Sequence, residues 1–328
     1  MTFSLRRAAV FVPLALTVMG ITGQAQAQTY PSKAVTIVVP FPAGGGPDLL
    51  GRVLAEKLAA RLGQAVIVDN KPGAGGLLGA GVVAKAPADG HVLLLSPNTL
   101  VISPHVLPKG AGAGVDVTKD LQPIIAPVST PMVLVASPQL GVSNMKELVA
   151  LVRKSPGLPY ASAGNGSPMH FAGEMFKKSA GVDMLHVPYR GTAPAVTAVL
   201  GGEVKLLFIA LGGVTQHLKA GKLVALGATE KTRTDLMPSL PTAREQGYPN
   251  VEVNAWYGLF APTGTPPAVM ARINQEVNTV LAMPDVRERL LAAGLEVLGG
   301  TAQTLAGFVK EDSERYTVIA REFNIKAD

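Results

Sequence analysis

The chain contains no cysteine among its 328 residues. This absence excludes disulfide bonds, zinc–thiolate sites, iron–sulfur clusters and cysteine nucleophiles. Charged residues make up only 16% of the sequence and aromatic residues 5%, and two units of the formal charge of +6 belong to Arg6 and Arg7. Because a nucleic-acid-binding face needs clustered basic residues with stacking aromatics, we expect no nucleic-acid partner. A mild positive excess suits an anionic solute.

Long hydrophobic runs are also scarce, and the one near the N-terminus has the features of an export signal. Arg6 and Arg7 precede an apolar run over residues 8–20, and a small-residue cleavage site ends at Ala27. A membrane anchor is the alternative, but the run is too short to cross a bilayer. The sequence therefore predicts a signal peptide over residues 1–27, cleavage near Ala27 and export to the periplasm.

The common catalytic and nucleotide-binding motifs are missing. No segment fits G-x-x-x-x-G-K-[ST] or G-x-S-x-G. Residues 79–84 fit G-x-G-x-x-A, but they lie inside a predicted helix and lack the acidic residue expected about 20 positions further on. We predict no cofactor, no metal and no enzymatic activity. A secreted serine hydrolase that uses Ser167 with His170 is the alternative.

The remaining sequence alternates between strand and helix patterns. Residues 34–40 are almost wholly apolar and rich in β-branched side chains, as in a strand buried on both faces. A glycine-rich segment follows, and leucines then recur every four residues from Leu50 to Leu62, with Gly63 at the position of a C-cap. Similar units recur up to residue 228, which predicts an α/β fold with parallel sheets.

Two domains fit the length and order of these units. About 300 residues remain after the signal peptide, enough for two cores. Helices predicted after residue 266 have no strands of their own, so we expect the chain to return to the first domain by crossings near residues 128 and 254. Domain 1 then comprises residues 28–128 and 255–328, and domain 2 comprises residues 129–254, with a two-strand hinge and a ligand cleft between them.

Two glycine-rich loops occupy matching positions between a strand and a helix, at residues 41–48 and 162–167. In an open parallel sheet, ligands bind beyond the carboxyl ends of the strands, where helix N-termini present unpaired N–H groups that favour an anion. The loops therefore predict a carboxylate site in which backbone amides are the donors. Simple tight turns are the alternative.

Other residues near the same sheet edges are candidates with structural alternatives. Arg190 faces the cleft or is an exposed structural arginine, and Thr192 caps the next helix. Asn98, followed by Thr99, offers hydrogen-bonding groups or a helix cap. Trp256 and Tyr257 form an apolar wall beside the solute or pack at the hinge.

Seven segments, taken together and in order, resemble the Bug family of extracytoplasmic solute receptors of tripartite tricarboxylate transporters. They lie at residues 30–33, 39–45, 70–76, 88–90, 187–191, 218–223 and 256–262. The resemblance implies a type II periplasmic-binding-protein fold that closes on a carboxylated solute. It also implies a membrane permease, or a sensor protein, as the partner of a monomeric receptor. The ligand contacts that it implies are Phe41, Ala43, Gly44, Gly45, Asp48, Asn165, Ser167, Tyr189, Arg190 and Thr192.

The chain departs from the family pattern at two places. Pro47 stands where members often have Thr or Ser, and residues 208–211 are apolar where members often have an aspartate. Such an aspartate could meet an amino or hydroxyl group of the solute. Its absence suggests a less polar solute, aliphatic or aromatic.

Overall fold

The computed structural model describes Met1 and residues 30–108, 114–323 and 325. Apart from Met1, the predicted signal peptide and its cleavage site lie outside these residues. No helix within the described part of the chain is both long and apolar enough to cross a membrane.

The strands, in chain order, are β1 Val35–Val39, β2 Val66–Asn70, β3 Val92–Pro97, β4 Leu121–Thr130, β5 Met132–Ala136, β6 Leu158–Ser162, β7 Met184–Pro188, β8 Leu206–Ala210, β9 Val224–Ala228, β10 Ala255–Pro262 and β11 Glu296–Gly299. The helices are α1 Gly46–Leu62, α2 Leu77–Ala84, α3 Thr99–Ile102, α4 Val117–Asp120, α5 Met145–Lys154, α6 Pro168–Ala180, α7 Thr192–Leu200, α8 Thr215–Lys219, α9 Pro267–Leu281, α10 Pro284–Ala292 and α11 Ala302–Glu322.

The strands form two sheets, as expected for two α/β domains. The first has the order β11-β4-β10-β3-β1-β2, and the second has the order β7-β6-β8-β5-β9. The expected parallel pairing is present between β1 and its neighbours β2 and β3, and between β6 and its neighbours β7 and β8. Both sheets are nevertheless mixed, because β10 runs antiparallel to β3 and β4, and β5 runs antiparallel to β8 and β9. Each of these strands enters its sheet from the other sheet, and therefore against the direction of its neighbours. The short strand β11 was not predicted.

The chain passes between the sheets at two adjacent places. Pro131 separates β4 from β5, and residues 229–254 lead from β9 into β10. Ala255 pairs with Thr130, so the two passages lie side by side. The division of the chain into domains at residues 128 and 254 stays a prediction. We propose that these two domains move relative to each other when the cleft opens and closes.

Each sheet is covered by helices that bury apolar side chains. In the first sheet, Ile37 and Leu95 pack with Leu54 of α1 and Val277 of α9 in one core. In the second, Phe208 packs with helices α5 and α6. Full burial of one such side chain contributes about 1.5–3 kcal/mol, so these cores fix the strand ends that carry the cleft loops.

The C-terminal helix α11 connects both sheets. Its Tyr316 is fully buried and meets Phe171 of α6 edge to face, with ring centroids 4.9 Å apart. Further along, the Nζ of Lys178 donates a 2.9 Å hydrogen bond to the carbonyl of Glu322. On the first-sheet side, Asp312 accepts hydrogen bonds from the Nε1 of Trp256 and the Nδ2 of Asn98, each at 2.9 Å.

Candidate ligand cleft

A narrow cavity of about 30 Å³ lies between the two sheets. This volume holds about one water molecule, so the cleft must open wider to admit a solute. The first-sheet side of its wall consists of Phe41, Pro42, Gly45, Pro47, Pro97, Thr99 and Tyr257. The second-sheet side consists of Ala163, Pro168, Met169, Thr192, Ala193, Pro194 and Ala210, and Ala255 lies at the crossing. The cavity is therefore open to the loops that follow the carboxyl ends of β1, β3, β6 and β7.

The loop after β1 is held from behind by Asp48. The carboxylate accepts hydrogen bonds from the backbone N–H of Gly44 and the Nε of Arg52, both at 3.0 Å, and from the Nδ2 of Asn70 at 3.1 Å. Burial alone would raise the pKa of Asp48, but these hydrogen bonds hold it below the usual aspartate value. Gly44 has a φ of +88°, which glycine adopts without strain. Asp48 thus shapes the loop and does not line the cavity.

The loop before α7 touches the first loop across the cleft. A Cβ atom placed on Gly45 would lie 2.7 Å from the Oγ1 of Thr192, and one on Gly191 would lie 3.2 Å from the Cδ of Pro42. Gly191, with a φ of +118°, is the N-cap of α7, so Thr192 is the first helical residue and not its cap as expected. The contact brings the N-termini of α1 and α7 to one place.

The first-turn amides at this place are available to a ligand. Among the described residues, none accepts a hydrogen bond from the backbone N–H of Gly46, Thr192 or Ala193. Gly45 and Gly191, the two N-caps, have no side chains that could serve as acceptors. Helix N-termini favour negative charge, so this arrangement can hold one carboxylate.

The loop at residues 162–167 is closed on itself. The Oγ of Ser167 donates to the carbonyl of Gly164 at 2.6 Å and accepts from the backbone N–H of His170 at 3.2 Å, which caps α6. The Oγ of Ser162 lies 2.6 Å from the Nε2 of His186. Burial and the neighbouring His170 lower the pKa of His186 to about 2, so its ring is neutral.

This loop meets the first sheet at another point. A Cβ atom on Gly166 would lie only 2.6 Å from the Cα of Ser103, which follows α3. The first glycine loop therefore contacts the loop before α7 directly, and its relation to residues 162–167 is through the cavity that Ala163, Pro168 and Met169 line.

The predicted ligand contacts fall into three groups, and their contact with a ligand stays a prediction. Phe41, Gly45 and Thr192 line the cavity. Asp48, Asn98 and Ser167 are buried and hold neighbouring backbone or side chains. Ala43, Gly44, Asn165, Tyr189 and Arg190 are not among its lining residues, and Ala43, Gly44 and Arg190 are exposed.

Two members of the last group have identifiable surroundings. The hydroxyl of Tyr189 donates to Glu203 at 2.9 Å, and burial together with this carboxylate raises the pKa of Tyr189 to about 12. Asn165 is half-buried, and its Oδ1 has no hydrogen-bond partner among the described residues.

Several lining residues were missed from the sequence. Pro97 and Met169 carry no polar group, so nothing in their chemistry marked them. The signal of Pro97 was positional, since this residue ends β3 at the cleft edge. Ala210 ends β8 and belongs to segment 208–211, which was related to the polarity of the solute from the sequence. Tyr257 lines the cavity, which is the first of the two roles expected for it, an apolar wall beside the solute. Burial raises the pKa of its hydroxyl, which stays protonated. Trp256 instead packs at the hinge beside Asp312.

Comparison with known proteins decides the family. A model of the tripartite tricarboxylate transporter family receptor matches residues 50–325. The chain belongs to this receptor family. It is 32% identical over 326 residues to the protein BugT of Bordetella pertussis, covering 98% of this chain and 99% of BugT.

Solved structures of similar proteins extend this assignment to the fold. The periplasmic binding protein BugD has 34% identity and a TM-score of 0.85, covering 91% of this chain and all of BugD. The protein Rpa4515 of R. palustris, solved with adipate, has 30% identity and a TM-score of 0.86, with the same coverage. This tripartite-transporter receptor therefore has the periplasmic-binding-protein fold that its sequence predicted, with two α/β domains.

Proposed function

We propose that this receptor captures a small organic carboxylate in the interdomain cleft and delivers it to a membrane permease without chemical change. The observation that carries the proposal is the meeting of the α1 and α7 N-termini at the cavity wall, where the N–H groups of Thr192 and Ala193 have no acceptor among the described residues. A relative with the same fold is solved with adipate, which is a carboxylate.

The amide hypothesis can be tested at Thr192, the first residue of α7. Thr192→Pro removes the backbone N–H at a position where proline is tolerated, and Thr192→Ala removes the same side chain but keeps the N–H. A hydrogen bond to a charged group contributes about 1.5–3 kcal/mol. We expect the proline variant to bind the solute about 10- to 100-fold more weakly than the alanine variant by isothermal titration calorimetry.

The solute for this titration comes from a thermal-shift screen of mono-, di- and tricarboxylates and aromatic acids. A ligand at 100 times its Kd stabilises the folded state by about 2.7 kcal/mol, which is a visible rise in Tm. Equal affinities of the two Thr192 variants would refute backbone recognition at α7.

The geometry does not favour the serine-hydrolase alternative. Ser167 contacts the backbone N–H of His170, while the Nδ1 of the His170 ring accepts from the backbone N–H of Gly166. Neither Ser167 nor His170 lines the cavity. Incubating the receptor with the solute found in the screen, followed by mass analysis of the recovered solute, tests this point: an altered solute would support an enzyme.

A ligand sensor with a signalling partner remains the second candidate, and the cleft alone does not distinguish it from a transport receptor. Deleting the gene and measuring uptake of labelled solute by whole cells separates the two. Lost uptake supports permease delivery, whereas unchanged uptake with a lost transcriptional response supports a sensor.

A further inference from the structure

The cavity wall carries no formal charge. Among the described residues that line it, none is Asp, Glu, Lys, Arg or His. Its side-chain hydroxyls belong to Thr99, Thr192 and Tyr257, and Thr192 lies at the contact between the two loops. The wall beyond that contact is therefore apolar, apart from Thr99 and Tyr257.

Proline limits the backbone donors of this wall as well. Five lining residues are prolines, which have no N–H: Pro42, Pro47, Pro97, Pro168 and Pro194. Pro168 is the first residue of α6, and the Oγ of Ser167 already accepts the N–H of His170. Among the described residues, the N-terminus of α6 keeps one cavity-lining N–H without an acceptor, that of Met169, whereas α7 keeps two, those of Thr192 and Ala193.

The apolar segment 208–211 contributes one residue to this wall. Ala210 lines the cavity, whereas Phe208 is fully buried in the core of the second sheet beside Tyr160 and Phe176. A methyl group thus lies where this segment reaches the cleft.

We propose that the solute has a single carboxylate and an otherwise apolar body, aliphatic or aromatic; this inference rests on the carboxylate function proposed above. The carboxylate lies at the amides of Thr192 and Ala193, and the body lies along the proline- and methionine-lined wall when the cleft opens to admit the solute. A second carboxylate there would lose its water without gaining a charged partner, which is strongly unfavourable, whereas methylene groups gain from burial.

A matched pair of ligands tests this inference. Hexanoate and adipate have the same six-carbon chain and differ in the second carboxylate, and benzoate and terephthalate form an aromatic pair. We expect the monocarboxylate of the tighter-binding pair to bind at least about tenfold more tightly than its dicarboxylate by isothermal titration calorimetry. Equal or tighter binding of the dicarboxylate would overturn the inference and leave the proposed carboxylate function intact. Failure of every carboxylate in the panel to bind would overturn both.

A substitution at Pro168 tests whether the missing proline N–H at the start of α6 disfavours a second carboxylate. Pro168→Ala restores an N–H at the first position of α6, and Pro138→Ala is the control, because Pro138 begins an exposed helical turn away from the cavity. We expect only the Pro168 variant to shift the adipate-to-hexanoate affinity ratio toward adipate, by about tenfold for one charge-assisted hydrogen bond. A ratio that is unchanged in a folded Pro168→Ala protein, as judged by its circular dichroism, counts against the proposal.

Discussion

Substitution of Gly212, which lies beside the hinge, tests whether the narrow cleft described above is the form that holds the solute. Gly212 follows β8 in the second sheet, and a Cβ atom placed on it would lie 2.4 Å from the carbonyl oxygen of Ala293, which follows α10 on the first-sheet side. A Cβ atom on neighbouring Gly294 would lie 2.7 Å from the Cα of Gly212, and the carbonyl of Gly294 accepts a 3.0 Å hydrogen bond from the Oγ1 of Thr130 at the first crossing. Both sides of the contact are backbone, so rotation of a side chain cannot relieve it.

Gly212→Ala should therefore oppose closure of the cleft. Overpacking by one methyl group costs about 1–3 kcal/mol. If this cost falls on the closed form alone, the Kd for the solute rises by about 5- to 150-fold. Isothermal titration calorimetry measures the Kd, and small-angle X-ray scattering should show a larger radius of gyration for the variant with bound solute than for the wild type.

The control is Gly307→Ala, which adds the same methyl group on α11 with nothing within 4 Å. We expect its solute affinity to equal that of the wild type. Wild-type affinity of Gly212→Ala, with an unchanged radius of gyration, would refute the view that this contact belongs to the ligand-bound form.

Three further substitutions test the electrostatics and packing. Asp48→Asn should lower the unfolding free energy in urea by about 1–3 kcal/mol at pH 7. Because the pKa of Asp48 is lowered in the folded state, this difference should shrink as pH falls below the usual aspartate range. A difference that stays constant with pH would contradict this reasoning. Burial raises the pKa of Glu230 to about 8, so its contribution to stability is lost as pH rises from about 4.5 to 8. The Tm of Glu230→Gln should therefore be several degrees above that of the wild type at pH 8 and equal to it at pH 4.5. The exposed Glu314→Gln should leave Tm unchanged at both pH values. A change in the Tm of Glu230→Gln that does not depend on pH would be the contrary result. Tyr316→Phe removes a buried hydroxyl that has no partner among the described residues, and should leave Tm unchanged or raise it; a loss above about 1 kcal/mol would show that the hydroxyl is satisfied.

The elements that the sequence predicted best have signals at both ends. Helix α1 extends from Gly46 to Leu62 with Pro in its first turn and Gly63 as its C-cap, as the leucine spacing and this glycine predicted. Strand β11 was missed because it has four residues, of which only Gly299 is buried, so no hydrophobic pattern could develop. The direction of β10 was missed because it depends on where the chain comes from, and local sequence does not record this.

The candidate site was harder to predict for a chemical reason. A short polar side chain at the start of a helix serves equally well as a cap or as a ligand contact. Ser167 and Asp48 hold the loops through hydrogen bonds, and their contact with a ligand stays a prediction. Conversely, Pro97 and Ala210 line the cavity but have no polar side-chain group that would identify them as ligand contacts from the sequence. Loop position was predictable from glycine and strand patterns, whereas side-chain direction required the structure.

Helix α11 also bears on how the receptor sets its affinity. Under the proposed division into two moving domains, the two neighbouring chain crossings would be the pivot, and the packing of Tyr316 on Phe171 joins other elements outside the solute cavity. A change of aperture would then have to slide this aromatic contact. We therefore expect substitutions at this contact to alter the resting aperture, and with it the solute affinity, without altering which solute is chosen.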